Sequence, residues 1–207
     1  MFKGSSSSRT LFNQDVGNWD VSSVTNMNSL FDNYHQRHNF NNGGSPSISG
    51  WDTSSVTNMN SLFQGCDQFN QPIGGWDTSS VTNMSYMFRF GNAFDQDLSS
   101  WNVSKVTAMQ EMFVSCTGFN SDLSNWDVSG VTNMFGMFNG ARIFNNGGST
   151  GINNWDTSNV TTMGSMLRSN NVFNQPIGSW DTSSVTNMSE MFKGSSSSRT
   201  LFNQDVG

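Results

Sequence analysis

Glutamate, histidine and cysteine each occur only twice in 207 residues, proline three times, and 12% of the chain is charged. Each scarcity excludes something. Two cysteines cannot make the disulfide framework of a small secreted domain. Glu111 and Glu190 stand far apart, and no Ser/His/Asp or Cys/His arrangement is suggested, so the reading is of a chain that is not an enzyme and has no catalytic or cofactor-binding residues. Nine Lys and Arg are scattered against fifteen Asp and Glu, a net charge of −6, so binding to nucleic acid lacks its electrostatic basis. No apolar run approaches the roughly 20 residues of a membrane helix, and no basic stretch followed by an apolar one marks a signal peptide, so no membrane insertion is expected within this stretch.

What is abundant is periodic. Trp19, Trp51, Trp76, Trp101, Trp126, Trp155 and Trp180 each open the phrase W-[DN]-[VT]-S-x-V-T-x-M-x-x-[LM]-[FL], at spacings of 32, 25, 25, 25, 29 and 25. Periods of this length signal an array of stacked repeats, and periodic Trp, Phe and Met argue against disorder. The chain also opens and closes on one string, MFKGSSSSRTLFNQDVG, at residues 1–17 and 191–207. Residues 1–207 are therefore expected to be a single continuous solenoid of about seven 25–32-residue coils, a window of a longer array with a 190-residue period.

Within one coil, Leu98, Trp101, Val103 and Val106 give L-x-x-W-x-V-x-x-V, close to the strand phrase of leucine-rich repeats. Alternation along a short parallel strand would put Trp101 and Val103 on one face and Asn102 on the other. Met188, Met191 and Phe192 lie at i, i+3 and i+4, behind the capping candidates Thr186 and Asn187 and before Gly194, which predicts a helix of one to two turns. The expected fold class is an α/β solenoid, a leucine-rich-repeat-like coil with one short parallel strand and one short helix per turn; the alternative is a parallel β-helix. The expected core is the seven tryptophans with Met27, Met59, Met84, Met109, Met134, Met163, Met188, Phe63, Phe88, Phe113, Phe138 and Phe192. One coil buries too little to stand alone, so stability is assigned to the stack.

The phrases V-T-N-M-S-E-M-F-K-G and F-N-Q-P-I-G-S-W-D-T-S, residues 173–194, resemble the repeat of BspA-like bacterial surface proteins, a leucine-rich-repeat-like family of predicted lipoproteins and adhesins. The resemblance covers essentially every coil. It implies surface display and adhesion, and brings no catalytic residues. The departures are insertions in the coils of Phe31 and Phe40, after Phe144, and after Phe192.

Several columns carry polar chemistry. Asp20, Asp52, Asp77, Asp127, Asp156 and Asp181 are interrupted once by Asn102. Two readings compete: a calcium-binding ribbon, or a turn in which each Asp or Asn accepts backbone amides together with the Ser two residues on, at Ser22, Ser54, Ser79, Ser104, Ser129, Ser158 and Ser183. The turn is favoured, since no D-x-D-x-D loop occurs. Asn13, Asn41, Asn70, Asn120, Asn145, Asn174 and Asn203, with Asp95 the exception, suggest an amide ladder satisfying loop backbone groups. Thr25, Thr57, Thr82, Thr107, Thr132, Thr161 and Thr186 form a third column; an ice-binding face would want wide, paired, exposed rows instead. His35 and His38 have i, i+3 spacing but no nearby Cys or paired carboxylates to complete a metal site. Cys66 and Cys116 occupy the same place two coils apart, roughly 10 Å at strand spacing and beyond disulfide reach, and are expected to be free and half-buried, like Ala141 in another coil.

The functional expectation is a structural protein forming an extracellular filament or stalk. Its partner would be itself, through covalent tandem continuation or head-to-tail stacking. The alternative is a surface adhesin holding a host protein or glycan through its insertions at residues 33–39 and 145–151.

Overall fold

The computed structural model describes residues 12–33, 40–195 and 201–206. Among them the expected strand and helix are absent, which corrects both the leucine-rich-repeat-like α/β solenoid and its alternative, the parallel β-helix. Among the described residues no α-helix or strand forms, and the regular elements there are four 3₁₀ helices, η1 (Asn42–Gly44), η2 (Pro46–Gly50), η3 (Asn146–Gly148) and η4 (Gly151–Asn154). Parallel pairing is reduced to isolated bridges, Asn26↔Asn58, Asn58↔Asn83, Asn83↔Ala108, Ala108↔Asn133, Asn133↔Thr162 and Thr162↔Asn187.

The missing helix has a backbone cause. Two residues past the first Met of each coil the chain enters the left-handed region, at Ser29, Ser61, Tyr86, Glu111, Gly136, Ser165 and Glu190, with φ between 53° and 61°. In most coils a second left-handed residue follows four positions later, at Gly65, Phe90, Ser115, Gly140 and Ser169. Alternation between right- and left-handed residues turns every second peptide group along the stack. The amides of Met59, Ser61, Phe63 and Gly65 thus donate to the carbonyls of Asn83, Ser85, Met87 and Arg89 in the next coil, at 2.8–3.0 Å. The remaining amides close three-residue turns, such as Leu62 to Met59 at 3.2 Å. No peptide group is left to build an i→i−4 ladder. The Trp-Asp-Val segment likewise forms no strand; hydroxyl bonds link its neighbours, as from Thr53 to the Asp77 carbonyl at 2.9 Å.

Side chains from successive coils meet in register. Trp51 lies 5.9 Å from Trp76 with an interplanar angle of 10°, and Phe63, Phe88, Phe113 and Phe138 continue as a column at 5.6–5.9 Å. A second phenylalanine column, Phe40, Phe69, Phe94, Phe119, Phe144 and Phe173, runs beside it. Inside a coil the two columns touch, with Phe63 stacked on Phe69 at 3.8 Å. Together with the methionines they form a hydrophobic cluster extending from Val16 to Met191.

Two of the expected core residues are not enclosed: Trp19 is 42% exposed and Met188 43%. Phe192 is half-buried. They lie in the first and last described coils, each of which has a neighbour on one side only. Cys66 and Cys116 are free and completely buried rather than half-buried, and their thiols donate to the Phe31 and Phe88 carbonyls at 3.2 and 2.9 Å. Burial pushes both thiols well above the usual thiol range.

Candidate functional site

The polar columns line the outside of this core. In the first, Asp20 Oδ1 accepts the Ser22 amide at 3.0 Å and its hydroxyl at 2.7 Å, and the same pair of bonds recurs at Asp52, Asp127 and Asp156. Asp77 and Asp181 accept the amides of Ser79 and Ser183 at 2.9 Å. Asn102 keeps the geometry with Ser104 at 3.1 and 2.7 Å, as an acceptor without charge. The serine hydroxyls, then the serine amides, hold the carboxyls of Asp20, Asp52, Asp77, Asp156 and Asp181 below the usual carboxylate range. At Asp52 the like charges of Asp77 and Asp20 push the other way and lose. For calcium the column offers one exposed carboxylate per coil, its Oδ1 already engaged. Among the described residues no three His, Cys, Asp or Glu side chains are grouped to hold a metal. His35 and His38 lie outside the described residues.

Asparagines form the second column. Asn13 Oδ1 accepts the Asn41 amide at 2.7 Å, Asn41 that of Asn70 at 3.0 Å, and Asn70 that of Asp95 at 3.0 Å. The series continues through Asp95 to Asn120 at 3.3 Å, Asn120 to Asn145 at 2.7 Å, Asn145 to Asn174 at 2.9 Å and Asn174 to Asn203 at 3.1 Å. Gln71 and Gln96, one position along, donate their Nε2 to the Asn below at 2.7 and 2.8 Å. The signal for these glutamines in the sequence is their recurrence directly after the column residue, at Gln14, Gln71, Gln96, Gln175 and Gln204.

From Thr57 to Thr186, each threonine of the third column donates both its amide, at 2.8–3.0 Å, and its hydroxyl, at 3.0–3.3 Å, to the Thr carbonyl of the preceding coil. The row is exposed but single, and its hydroxyl protons point along the stack. The tryptophans add a bond from inside the core. Trp76, Trp101, Trp126, Trp155 and Trp180 donate Nε1 to the carbonyl three residues ahead of the previous tryptophan, at 2.8–3.1 Å.

The family described as Mycoplasma protein of unknown function, DUF285, matches residues 1–45, 33–151 and 147–207. The chain belongs to the DUF285 family. Comparison with curated proteins and with solved structures gives no match.

Two insertions in these DUF285 repeats prove to be one device. F-N-N-G-G-S occurs at residues 40–45 and 144–149, and in both Asn42 and Asn146 are left-handed and fully buried. Asn42 Oδ1 accepts the Val16 amide and Asn146 Oδ1 the Leu123 amide, both at 2.8 Å. Their Nδ2 groups donate to the Ser45 and Ser149 carbonyls. Both glutamates are also placed: Glu111 pairs with Arg89 of the preceding coil at 3.0 Å, and Glu190 with Arg168 at 2.9 Å and Lys193 at 2.6 Å. An open polar cleft of 480 Å³ lies between Asp95, Gln96, Asp97 and Ser121, Asp122, Asn125. The Asp97 carboxyl is held low by the Ser99 amide and hydroxyl, and Asp122 Oδ1 accepts the Ser124 amide at 2.9 Å.

Proposed function

We propose that this DUF285 chain is a non-enzymatic structural protein that builds an extracellular filament or stalk. The supporting observation is repetition without loss of register: the same backbone bonds, threonine bonds and asparagine bonds link each coil to the next from Asn26 to Asn187. Backbone amides, threonine hydroxyls, asparagine side chains and indole N–H groups of one coil bond to the next, as expected of a quasi-one-dimensional stack whose role is length. The finer resemblance to BspA-like surface repeats supports placement at the cell surface. The Asx-type turns of the Asp–Ser column keep a row of negative charge on the exterior, which favours a solvated fibre.

The adhesin alternative needs insertions that stand clear of the scaffold. Of the two insertions, residues 34–39 lie outside the described residues, while Asn146, near the start of 145–151, is buried and bonded into the scaffold. Electron microscopy of the native material is the test. Thin continuous fibres are expected; discrete particles, with ligand binding lost on deletion of residues 145–151, would replace the filament with the adhesin.

A further inference from the structure

In most coils the left-handed places of the Met-x-x-Met-Phe wall hold small residues: Ser61 and Gly65, Gly136 and Gly140, Ser165 and Ser169. One coil in the middle of the stack departs from this. Tyr86 has φ 61° and Phe90 φ 65°, a region that bulky side chains occupy only at a cost. Both rings are half-buried, and Phe90 neither belongs to the hydrophobic cluster nor packs against it.

Polar groups are fixed around these rings. The Arg89 guanidinium carbon lies 5.6 Å from the centre of the Tyr86 ring and 4.8 Å from that of Phe90, and its Nε is 3.0 Å from Glu111 Oε2 in the next coil. Gln110 donates Nε2 to the Tyr86 hydroxyl at 2.8 Å and accepts from Asn133 Nδ2, one coil further on, at 2.7 Å.

The chain holds its own control. Arg168 and Glu190 occupy the same two columns and pair at 2.9 Å, yet Ser165 and Ser169 stand where Tyr86 and Phe90 do. The ion pair therefore does not need the rings, and the core does not use Phe90. A strained backbone carrying two outward aromatics in a single coil fits a role toward something outside the stack.

Charge and area select the ligand. Arg89 and Glu111 cancel, so the patch favours neither anions nor cations, and the chain's net charge of −6 repels anions further. Two half-buried rings expose at most on the order of 200 Å², against roughly 800 Å² per partner in a stable protein interface. A small uncharged molecule with flat C–H faces and hydroxyls at its rim satisfies both limits. We propose that this wall binds an uncharged pyranose oligosaccharide, with Tyr86 and Phe90 as stacking platforms and Arg89, Gln110 and Glu111 as partners for its hydroxyls. The two coils involved have the regular 25-residue length, so the site is separate from the insertions. It goes beyond the filament reading and does not depend on it.

The labelled full chain on an array of immobilised neutral and anionic glycans tests this, beside a Tyr86→Ser/Phe90→Gly variant that copies Ser61 and Gly65. Neutral pyranose oligosaccharides are expected to retain the chain. In calorimetric titration with the best-retained one, the double variant should bind at least about tenfold more weakly, while its Tm stays level or rises as the left-handed cost is relieved. Arg168→Ala, at the pair flanked by serines, should bind as the unaltered chain does. Where the double variant fails to fold, Phe90→Ser, matching Ser115 and Ser169, should still lose at least about threefold. The proposal is overturned by an unaltered chain that no neutral glycan retains, by retention on anionic glycans alone, or by equal binding of the ring variants. Weaker binding with a lowered Tm in both ring variants overturns it too, since the rings would then be packing residues. So does a mass that rises above 22.8 kDa with concentration and returns to it in the ring variants, which would assign the patch to a protein contact. Fibres on native material that persist beside any of these results leave the filament reading standing.

Discussion

Asn120 Oδ1 accepts two backbone amides of the following coil, Asn145 at 2.7 Å and Gly147 at 3.1 Å. One side-chain oxygen thus fixes both the start of η3 and the register of the coil carrying it. Asn120→Ala strands both amides and is expected to cost about 1–3 kcal/mol in denaturant unfolding. Asn120→Asp keeps the acceptor, as Asp95 does one coil earlier, and is expected to recover most of the loss. Equal damage from both variants would show that the side-chain oxygen is not what matters.

Trp126 contributes both apolar area and a hydrogen bond, its Nε1 donating to the Leu98 carbonyl at 2.9 Å from a side chain only 3% exposed. Trp126→Phe removes the donor while leaving most of the ring. The Leu98 carbonyl then keeps only the Trp101 amide at 3.1 Å, and with the space left by the smaller ring the expected loss is about 1–3 kcal/mol. Chemical denaturation checks it, and the loss should exceed that of a Met137→Leu change in the same coil, which conserves volume and costs less than about 1.5 kcal/mol.

The columns were legible in the sequence and the backbone between them was not. Trp, Phe and Met repeat at fixed places, and the Asp–Ser and asparagine bonds follow from side chains that recur once per coil. M-x-x-M-F, however, has the i, i+3, i+4 spacing of a helix face, and two successive three-residue turns with a left-handed residue in each present the same three side chains to one side. The local pattern cannot distinguish them, because the deciding bonds go to a coil about 25 residues away, as from Ser61 to Ser85. A clue did exist: glycine recurs at Gly65, Gly136 and Gly140, in the columns that turn out to be left-handed. The pairing of Arg89 with Glu111 was hidden for the same reason, since only the register of the stack brings them together.

Those left-handed positions are tunable. Ser169 has φ 56° where Gly65 and Gly140 occupy the equivalent place with φ 75° and 71°. Ser169→Gly relieves a left-handed side-chain cost and is expected to stabilise by up to about 1 kcal/mol. Gly140→Ala should destabilise by about 1–2 kcal/mol, since it adds that cost and brings a Cβ within 3.3 Å of Ser115 Oγ. Thermal unfolding of the two variants should move in opposite directions.

Acid sensitivity follows from the Asp–Ser column. Asp20, Asp52, Asp77, Asp156 and Asp181 have folded-state carboxyls below the ordinary value, and Asp15, bonded to Ser47 and Gly17, falls to about 2. A depressed folded value means that the unfolded chain binds protons first. The contribution is therefore complete above about pH 4 and is lost as pH falls through the lower folded values. Ser158→Ala removes the hydroxyl bond to Asp156. The Asp156 carboxyl should then titrate at higher pH in NMR, and the acid unfolding midpoint should move upward. An Asp156 titration identical in the two proteins would mean that the hydroxyl does not set it.

Cys66 and Cys116 should report on the integrity of the stack. Both are wholly buried with raised thiol values, so little reactive thiolate is exposed in the folded chain. A thiol reagent at pH 8 is expected to modify neither until denaturant opens the coils, with the labelling rate following the unfolding transition. Cys116→Ala matches Ala141, which is equally buried at the corresponding place one coil on, and should cost no more than about 1 kcal/mol for the lost bond to the Phe88 carbonyl. Rapid stoichiometric labelling of native protein would show that the coils around Phe31 and Phe88 part far more readily than their paired aromatic columns imply.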